Sequence, residues 1–131
     1  QPKDVHVTDF GCGIGLMSHL LGSISISSSG MDKFSTPILL QQSHIDVDFG
    51  KASLVTAFEV LEHIPNTSEL LSLLSPHKHD FIFSTTLRPD NIVPSPSWSY
   101  YDFDVGQHIT FHSKKSLSSA FKNSGLNPKF L

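Results

Sequence analysis

A run of β-branched and aromatic residues, Val5-His6-Val7-Thr8-Asp9-Phe10, passes straight into Gly11-Cys12-Gly13-Ile14-Gly15, and this junction constrains the fold more than any other part of the chain. Glycine at every second position opens backbone angles closed to other residues and leaves no Cβ between main chain and ligand. Leu16, Met17, Leu20 and Leu21 then recur on one face of a short helix that Gly22 can close. A helix opening at such a turn presents free N–H groups and a partial positive charge, suited to a carboxylate or phosphate.

The details narrow the ligand. A dinucleotide fingerprint needs Gly-x-Gly-x-x-Gly, and counted from Gly11 its third glycine falls on Leu16. Asp9, two residues before the turn, would repel a pyrophosphate but can accept hydrogen bonds from an ammonium group. Asp32 follows 23 residues after Asp9 at the end of a second predicted strand, Ser23 to Gly30, in which Ile24 and Ile26 alternate with serines. A carboxylate there can take the two hydroxyls of a ribose. An amino-acid-bearing nucleoside therefore fits better than a nicotinamide dinucleotide.

The same alternation of strand and helix continues. Ile38 to Leu40 suggests a helical turn and Ile45 to Phe49 a short third strand. Ser53 to Val60 reads as a strand buried on both faces. Thr67 to Leu74 reads as a helix with Leu70, Leu71, Leu73 and Leu74 on one face, capped by Asn66 or Thr67 and stopped by Pro76. Asp80 to Thr86 is the next strand, followed by a long aromatic, proline-containing loop from Arg88 to Gly106. Ser113 caps a last helix carrying Leu117, Ala120 and Phe121, closed by Gly125, and Lys129 to Leu131 begins another strand. At 131 residues this is one domain, residues 1–131, of α/β class, with a parallel sheet and helices on both faces.

Composition removes several partners. A formal charge of −3 and a pI near 6.2 gather neither nucleic acid nor an anionic membrane. Cys12 is the only cysteine, so no intrachain disulfide forms and a cytoplasmic setting is expected. No apolar run approaches the roughly 20 residues that span a bilayer, and no signal segment opens the chain.

VTDFGCGIG, GMDKF and TAFEVLEHI together resemble class I S-adenosylmethionine-dependent methyltransferases, in particular the group that includes ubiquinone-pathway O-methyltransferases. The resemblance runs from Val5 to about Leu126. It implies a Rossmann-like core with S-adenosyl-L-methionine as cofactor. By it, Asp9, Gly11, Cys12, Gly13 and Gly15 hold the methionine end, Asp32 holds the ribose, and the backbone around Ala57, Phe58 and Glu59 lines the cleft; Asp46 is a weak candidate beside the adenine. The sequence departs from the pattern where Pro76-His77-Lys78-His79-Asp80 replaces a Pro-Gly-Gly turn. Set against the family, the chain is expected to be shortened at both ends, with the final antiparallel strand missing.

Methyl transfer from a sulfonium is an in-line displacement, so the protein chiefly aligns the partners, and a base is required only when the acceptor must lose a proton. His63 and His108, each placed after a strand, are the candidate catalytic residues. Glu59, Glu62, His63 and His108 form an oxygen and nitrogen donor set suited to a divalent metal, and resemble the ligands of plant-type small-RNA 2′-O-methyltransferases. The same EVLEH string also occurs in ordinary family members, and no metal is assigned on it. Trp98, Tyr100, Tyr101 and Phe103 can form a packed lid or stack on a sugar or aromatic acceptor. The expected function is methyl transfer to a small-molecule or glycan acceptor, at oxygen; the alternative is a non-catalytic cofactor-binding or scaffolding domain.

Overall fold

The computed structural model describes residues 5–40, 49–77 and 79–130. Backbone contacts divide the chain into two compact units: Gln1–Phe58 with His77–Phe83, and Glu59–Pro76 with Ser84–Leu131.

The first unit is organised by β1 (His6–Phe10), α1 (Leu16–Ser23), β2 (Ser27–Met31), β3 (Leu54–Phe58) and β4 (Asp80–Ser84). The sheet order is β2-β1-β3-β4. Both β2 and β3 run parallel to β1, with Asp9 opposite Gly30 on one side and Thr56 on the other. β4 advances in the same sense, from the Asp80 amide on the Ser53 carbonyl to the Ser84 carbonyl on the Glu59 amide. The chain leaves β1 on one side and returns on the other, so the strand order reverses between β1 and β3. Ligands of such sheets bind beyond the strand ends at that reversal. Val7, Ala52, Val55 and Ala57 form the apolar core of this unit.

Three expectations are corrected here. The β2 strand begins at Ser27, not Ser23, because Ser25 takes a left-handed backbone (φ 61°) and Ile24 and Ile26 turn back onto the Leu21 carbonyl. Gly22 lies inside α1, and Ile24 is its C-cap. The leucine face of α1 is not its buried face: Leu16 and Leu20 are exposed, whereas Ser18 is 3% exposed. The reason is the neighbouring strand. β2 is Ser-Ser-Ser-Gly-Met, and its small side chains let α1 approach until Ser18 Oγ donates to the Ser29 carbonyl and Ser28 Oγ to the Ser18 carbonyl. His6, in β1, bonds both Ser27 Oγ (2.8 Å) and Ser29 Oγ (3.0 Å). A strand with almost no apolar side chain is thus held to its neighbours by hydroxyls and an imidazole.

Ile38 and Leu39 form a single turn, closed by the Leu40 amide on the Pro37 carbonyl, and no helix. The third strand expected at Ile45 to Phe49 falls outside the described residues except for Phe49, which opens a 3-10 turn, Phe49–Lys51. Asp46 also lies outside them.

The second unit contains α2 (Thr67–Leu74), α3 (Lys114–Asn123) and two 3-10 turns, Leu61–His63 and Ser99–Tyr101. Its core is Val60, Leu61, Leu70, Leu71, Leu74, Leu117 and Phe121. In α2, Leu73 points outward (60% exposed), because the position between Leu71 and Leu74 falls off the buried stripe. Asn66 is the N-cap by position, but its side-chain amide donates to Glu69 instead of capping. In α3 the cap is fully built: Ser113 Oγ accepts from the Ser116 amide and Ser116 Oγ from the Ser113 amide. The far end closes through the amides of Gly125 and Leu126 on the carbonyls of Lys122 and Phe121. Replacing Ser113 by Ala is expected to cost about 1 kcal/mol, measured by urea unfolding. Lys129 and Phe130 pair with no strand among the described residues, so the strand expected at Lys129 to Leu131 is not formed there.

Candidate functional site

The glycine turn is shaped from within. The amides of Gly11 and Cys12 both donate to the Met31 carbonyl (2.9 and 3.0 Å), and the Gly15 amide donates to the Cys12 carbonyl. The Gly13 amide donates to Asp32 Oδ2 (2.9 Å). The amides of Leu16 to Ser18 precede the first helical bond of α1, which His19 makes to the Gly15 carbonyl. Gly15 is the N-cap with φ 86°, and a Cβ there would stand 2.7 Å from Leu40 Cγ. Gly13 differs: at φ 55°, the space a Cβ would occupy is open for 4 Å. One glycine is needed for packing and the other leaves an approach to the main chain.

Two carboxylates flank the turn. Asp9 is 6% exposed and accepts the Thr56 hydroxyl at 2.9 Å. Burial pushes its carboxyl above the ordinary range against the Thr56 hydrogen bond, and the Asp32 charge pushes the same way. Asp32 itself accepts three amides: Gly13 on Oδ2, and Phe34 (2.8 Å) and Ser35 (2.7 Å) on Oδ1. It organises the turn, and of about four acceptor sites on a carboxylate one remains. Cys12 lies between these acids, and its thiol is pushed up to about 11 by burial and by the charges of Asp9 and Asp32. It stays a protonated thiol at neutral pH. Phe58, exposed, ends β3.

The second unit assembles another group of acids and histidines. Glu59 takes a left-handed backbone (φ 53°), and its carboxylate accepts the Ser84 hydroxyl at 2.7 Å. Glu62, in the turn that follows, is fully buried. Its carbonyl accepts the amides of Ile109 and Thr110, and its carboxylate accepts the hydroxyls of Tyr100 (2.7 Å) and Thr85 (3.1 Å). Burial alone would raise the Glu62 carboxyl, yet it lies below the usual range, because its own backbone amide and the hydroxyls of Tyr100 and Thr85 donate to the ionised form. The Tyr100 hydroxyl is in turn raised by burial.

His63 Nδ1 lies 2.8 Å from the Gln107 carbonyl, and His108 Nδ1 lies 2.6 Å from the Tyr100 carbonyl. A carbonyl only accepts, so both Nδ1 atoms carry a proton, and Nε2 is the ring atom left to accept or to bind a ligand. The rings meet edge to face with centroids 4.9 Å apart. One ligand atom from each of Glu62, His63 and His108 falls within 4.8 Å of the others, a grouping that excludes Glu59. Trp98 packs on Tyr100 and Tyr101, each at 5.2 Å, and Tyr101 on Phe111 at 4.9 Å. Phe103 stacks on Tyr101 and remains 72% exposed.

Sequence reasoning set Asp32 beside the turn that holds Gly13, and His63 with His108, and these residues do meet in the structure. It missed Thr56, the Met31 carbonyl, Thr85 and the double role of Tyr100. Nothing local marks these: Thr56 is 47 residues from Asp9, and Tyr100 is 38 from Glu62.

A strand-glycine turn-helix unit with an acid before the turn and another after the next strand defines the opening of a Rossmann-like α/β core. A family model described as a methyltransferase domain matches residues 1–129, and the chain belongs to that family. Among curated proteins it is 29% identical to the ubiquinone biosynthesis O-methyltransferase of Shewanella halifaxensis over 83 residues, an alignment covering 50% of this chain and 35% of that enzyme. Among solved structures it matches a SAM-dependent methyltransferase from Archaeoglobus fulgidus (TM-score 0.66, 20% identity, 94% of this chain and 61% of that one). It also matches the magnesium protoporphyrin IX methyltransferase of Synechocystis PCC 6803 with bound SAH (TM-score 0.60, 19% identity, 95% and 65%). The fold is the Rossmann-like class I methyltransferase fold. The chain spans about a third of its curated relative and under two thirds of these structures. No helix among the described residues is long and apolar enough to cross a membrane.

Proposed function

We propose that the chain is the core of an S-adenosylmethionine-dependent methyltransferase that acts in the cytoplasm on a small-molecule or glycan acceptor, at oxygen. The observation that carries this reading is the buried carboxylate of Asp9, raised by burial and by Asp32, next to a turn whose Gly13 leaves an open approach. Two crowded acids favour a cationic ligand, and the ammonium of a methionyl group supplies the charge. The donor set thus fits the cofactor. Asp9 binds the ammonium, the first-turn amides of α1 take the carboxylate, and the free acceptor site of Asp32 takes one ribose hydroxyl, not two. Phe58 and the backbone of Glu59 line the remainder.

The bound cofactor supplies an electrophilic methyl group on a sulfonium. An acceptor hydroxyl must lose a proton as it is methylated, and the Nε2 lone pair of His63 or His108 is available to receive it. The name O-methyltransferase on the curated relatives supports oxygen as the target. Convergence of Glu62, His63 and His108 favours a second reading, in which these three hold a divalent cation. A carboxylate with two imidazoles suits zinc or manganese, and such a cation lowers the pKa of a bound hydroxyl. The outer ring nitrogens already donate to carbonyls, as those of metal-bound histidines do.

Isothermal titration of the 131-residue chain with S-adenosylmethionine and S-adenosylhomocysteine is expected to give saturable binding. Labelled-methyl transfer to a panel of phenols, sugars and small hydroxy compounds is expected to give product. Folded protein that binds neither nucleoside overturns the reading. Binding without transfer to any acceptor supports the scaffolding alternative, and activity unchanged by chelator or added manganese removes the cation.

A further inference from the structure

We propose that Tyr100 is the positioning residue of the acceptor-side group, fixing both the carboxylate of Glu62 and the direction of the His108 imidazole. This rests on the reading that Glu62, His63 and His108 act on the acceptor. Tyr100 sits in the middle of the 3-10 turn Ser99–Tyr101, and it reaches the group from both ends of the residue. Its hydroxyl donates to Glu62 Oε1 at 2.7 Å, and its carbonyl accepts from His108 Nδ1 at 2.6 Å. A hydroxyl has one proton, so with that proton on Glu62 the Tyr100 oxygen can otherwise only accept. The Thr86 amide donates to it at 3.2 Å, and the Thr85 hydroxyl, at the same distance, gives its own proton to Glu62 Oε2.

The ring is held as firmly as the hydroxyl. Its centroid lies 4.4 Å from the His108 ring, 5.2 Å from Trp98 and 6.3 Å from Phe111. The aromatic cluster therefore sets Tyr100, and Tyr100 sets two of the three acceptor-side groups. The hydroxyl is spent on Glu62, so Tyr100 acts through its neighbours and not on the acceptor itself. Trp98 and Phe111 thus hold the residue that holds the site.

Tyr100→Phe removes the hydroxyl and keeps the ring and the carbonyl. In the full 131-residue chain it is expected to leave S-adenosylhomocysteine affinity within a factor of two and to lower kcat for methyl transfer by about 10- to 100-fold, the worth of one hydrogen bond to a charged group. KM for the cofactor should stay unchanged. The same variant, free of ligand, should shift the 13C resonance of the Glu62 carboxyl while leaving in place the Asp9 carboxyl resonance and the His108 Nδ1 resonance, which the retained carbonyl holds. A Tyr100→Phe protein with wild-type kcat, or with an unmoved Glu62 resonance, overturns the proposal. So does parallel loss of cofactor affinity and kcat, the mark of general unfolding. If the wild type transfers no methyl group, the acceptor-side reading fails, and the resonances of the free protein decide the role of Tyr100 separately.

Discussion

Asp9→Asn is expected to make the free protein more stable to heat and a weaker binder of S-adenosylmethionine. Asparagine keeps the Oδ1 that accepts the Thr56 hydroxyl but removes the charge that burial and Asp32 oppose. The sign follows from proton linkage. A carboxyl with a raised folded pKa binds more protons folded than unfolded, so the wild type loses stability as pH rises from the unfolded carboxylate range near about 4 through the folded value. The penalty is complete above the folded value, and the variant lacks it. Binding should fall by about 10- to 100-fold, because the ammonium loses a charge-assisted hydrogen bond in a buried setting. Differential scanning fluorimetry across pH 4 to 8 and isothermal titration measure the two effects. Lower stability together with unchanged affinity would remove Asp9 from the cofactor site.

Glu62→Ala is expected to have the opposite effect on stability and to abolish methyl transfer. The hydroxyls of Tyr100 and Thr85 lose their acceptor inside the second unit, and the volume of a fully buried side chain is emptied. Orphaned hydroxyls and the cavity together cost about 3 to 5 kcal/mol. Here the carboxyl is held below its ordinary range, so its contribution is present above the unfolded carboxylate value and is lost as pH falls through the lower folded one. Glu62→Gln preserves the volume and should flatten that acid limb with a smaller loss at pH 7. Urea unfolding at pH 7 and pH 4 distinguishes the two variants. A Glu62→Ala protein as stable as the wild type would show that the buried hub contributes nothing to the unit. The two buried acids thus report in opposite directions on acidification, Asp9 relieved and Glu62 weakened.

The parts of the fold legible in advance are those encoded locally. Gly13 and Gly15 need left-handed backbone, and Ser113 and Gly125 bound a helix, whatever surrounds them. Runs such as Leu54 to Phe58 are apolar enough to be buried on both faces in any sheet. The reading failed where local pattern and tertiary neighbour disagreed. The alternating Ile24 and Ile26 suggested strand, but the pairing partner of β1 is the serine run after them, because His6 and Thr8 meet Ser27 and Ser29 with polar groups. The leucines of α1 predicted a buried face, and a close-approaching serine strand selected Ser18 instead.

The site divides along the same line. By itself the sequence determined a strand that must end at a glycine turn, an acid immediately before it, a second acid one strand later, and an Glu-x-x-Glu-His segment after a buried strand. Spacing along one chain suffices for these, since each is set by backbone angles and periods of two or 3.6 residues. Only the tertiary structure decided that Asp32 spends three of its acceptor sites on the turn itself, that Thr56 reaches Asp9, and that Tyr100 joins Glu62 to His108. Apart from the Phe34 and Ser35 amides, which reach Asp32 from two and three residues on, those contacts join residues 19 to 47 positions apart or reuse a backbone carbonyl, and their energies depend on burial and on which hydroxyl holds a single proton. No local periodicity carries that information, because it exists only once the strands are in order and the loops have met.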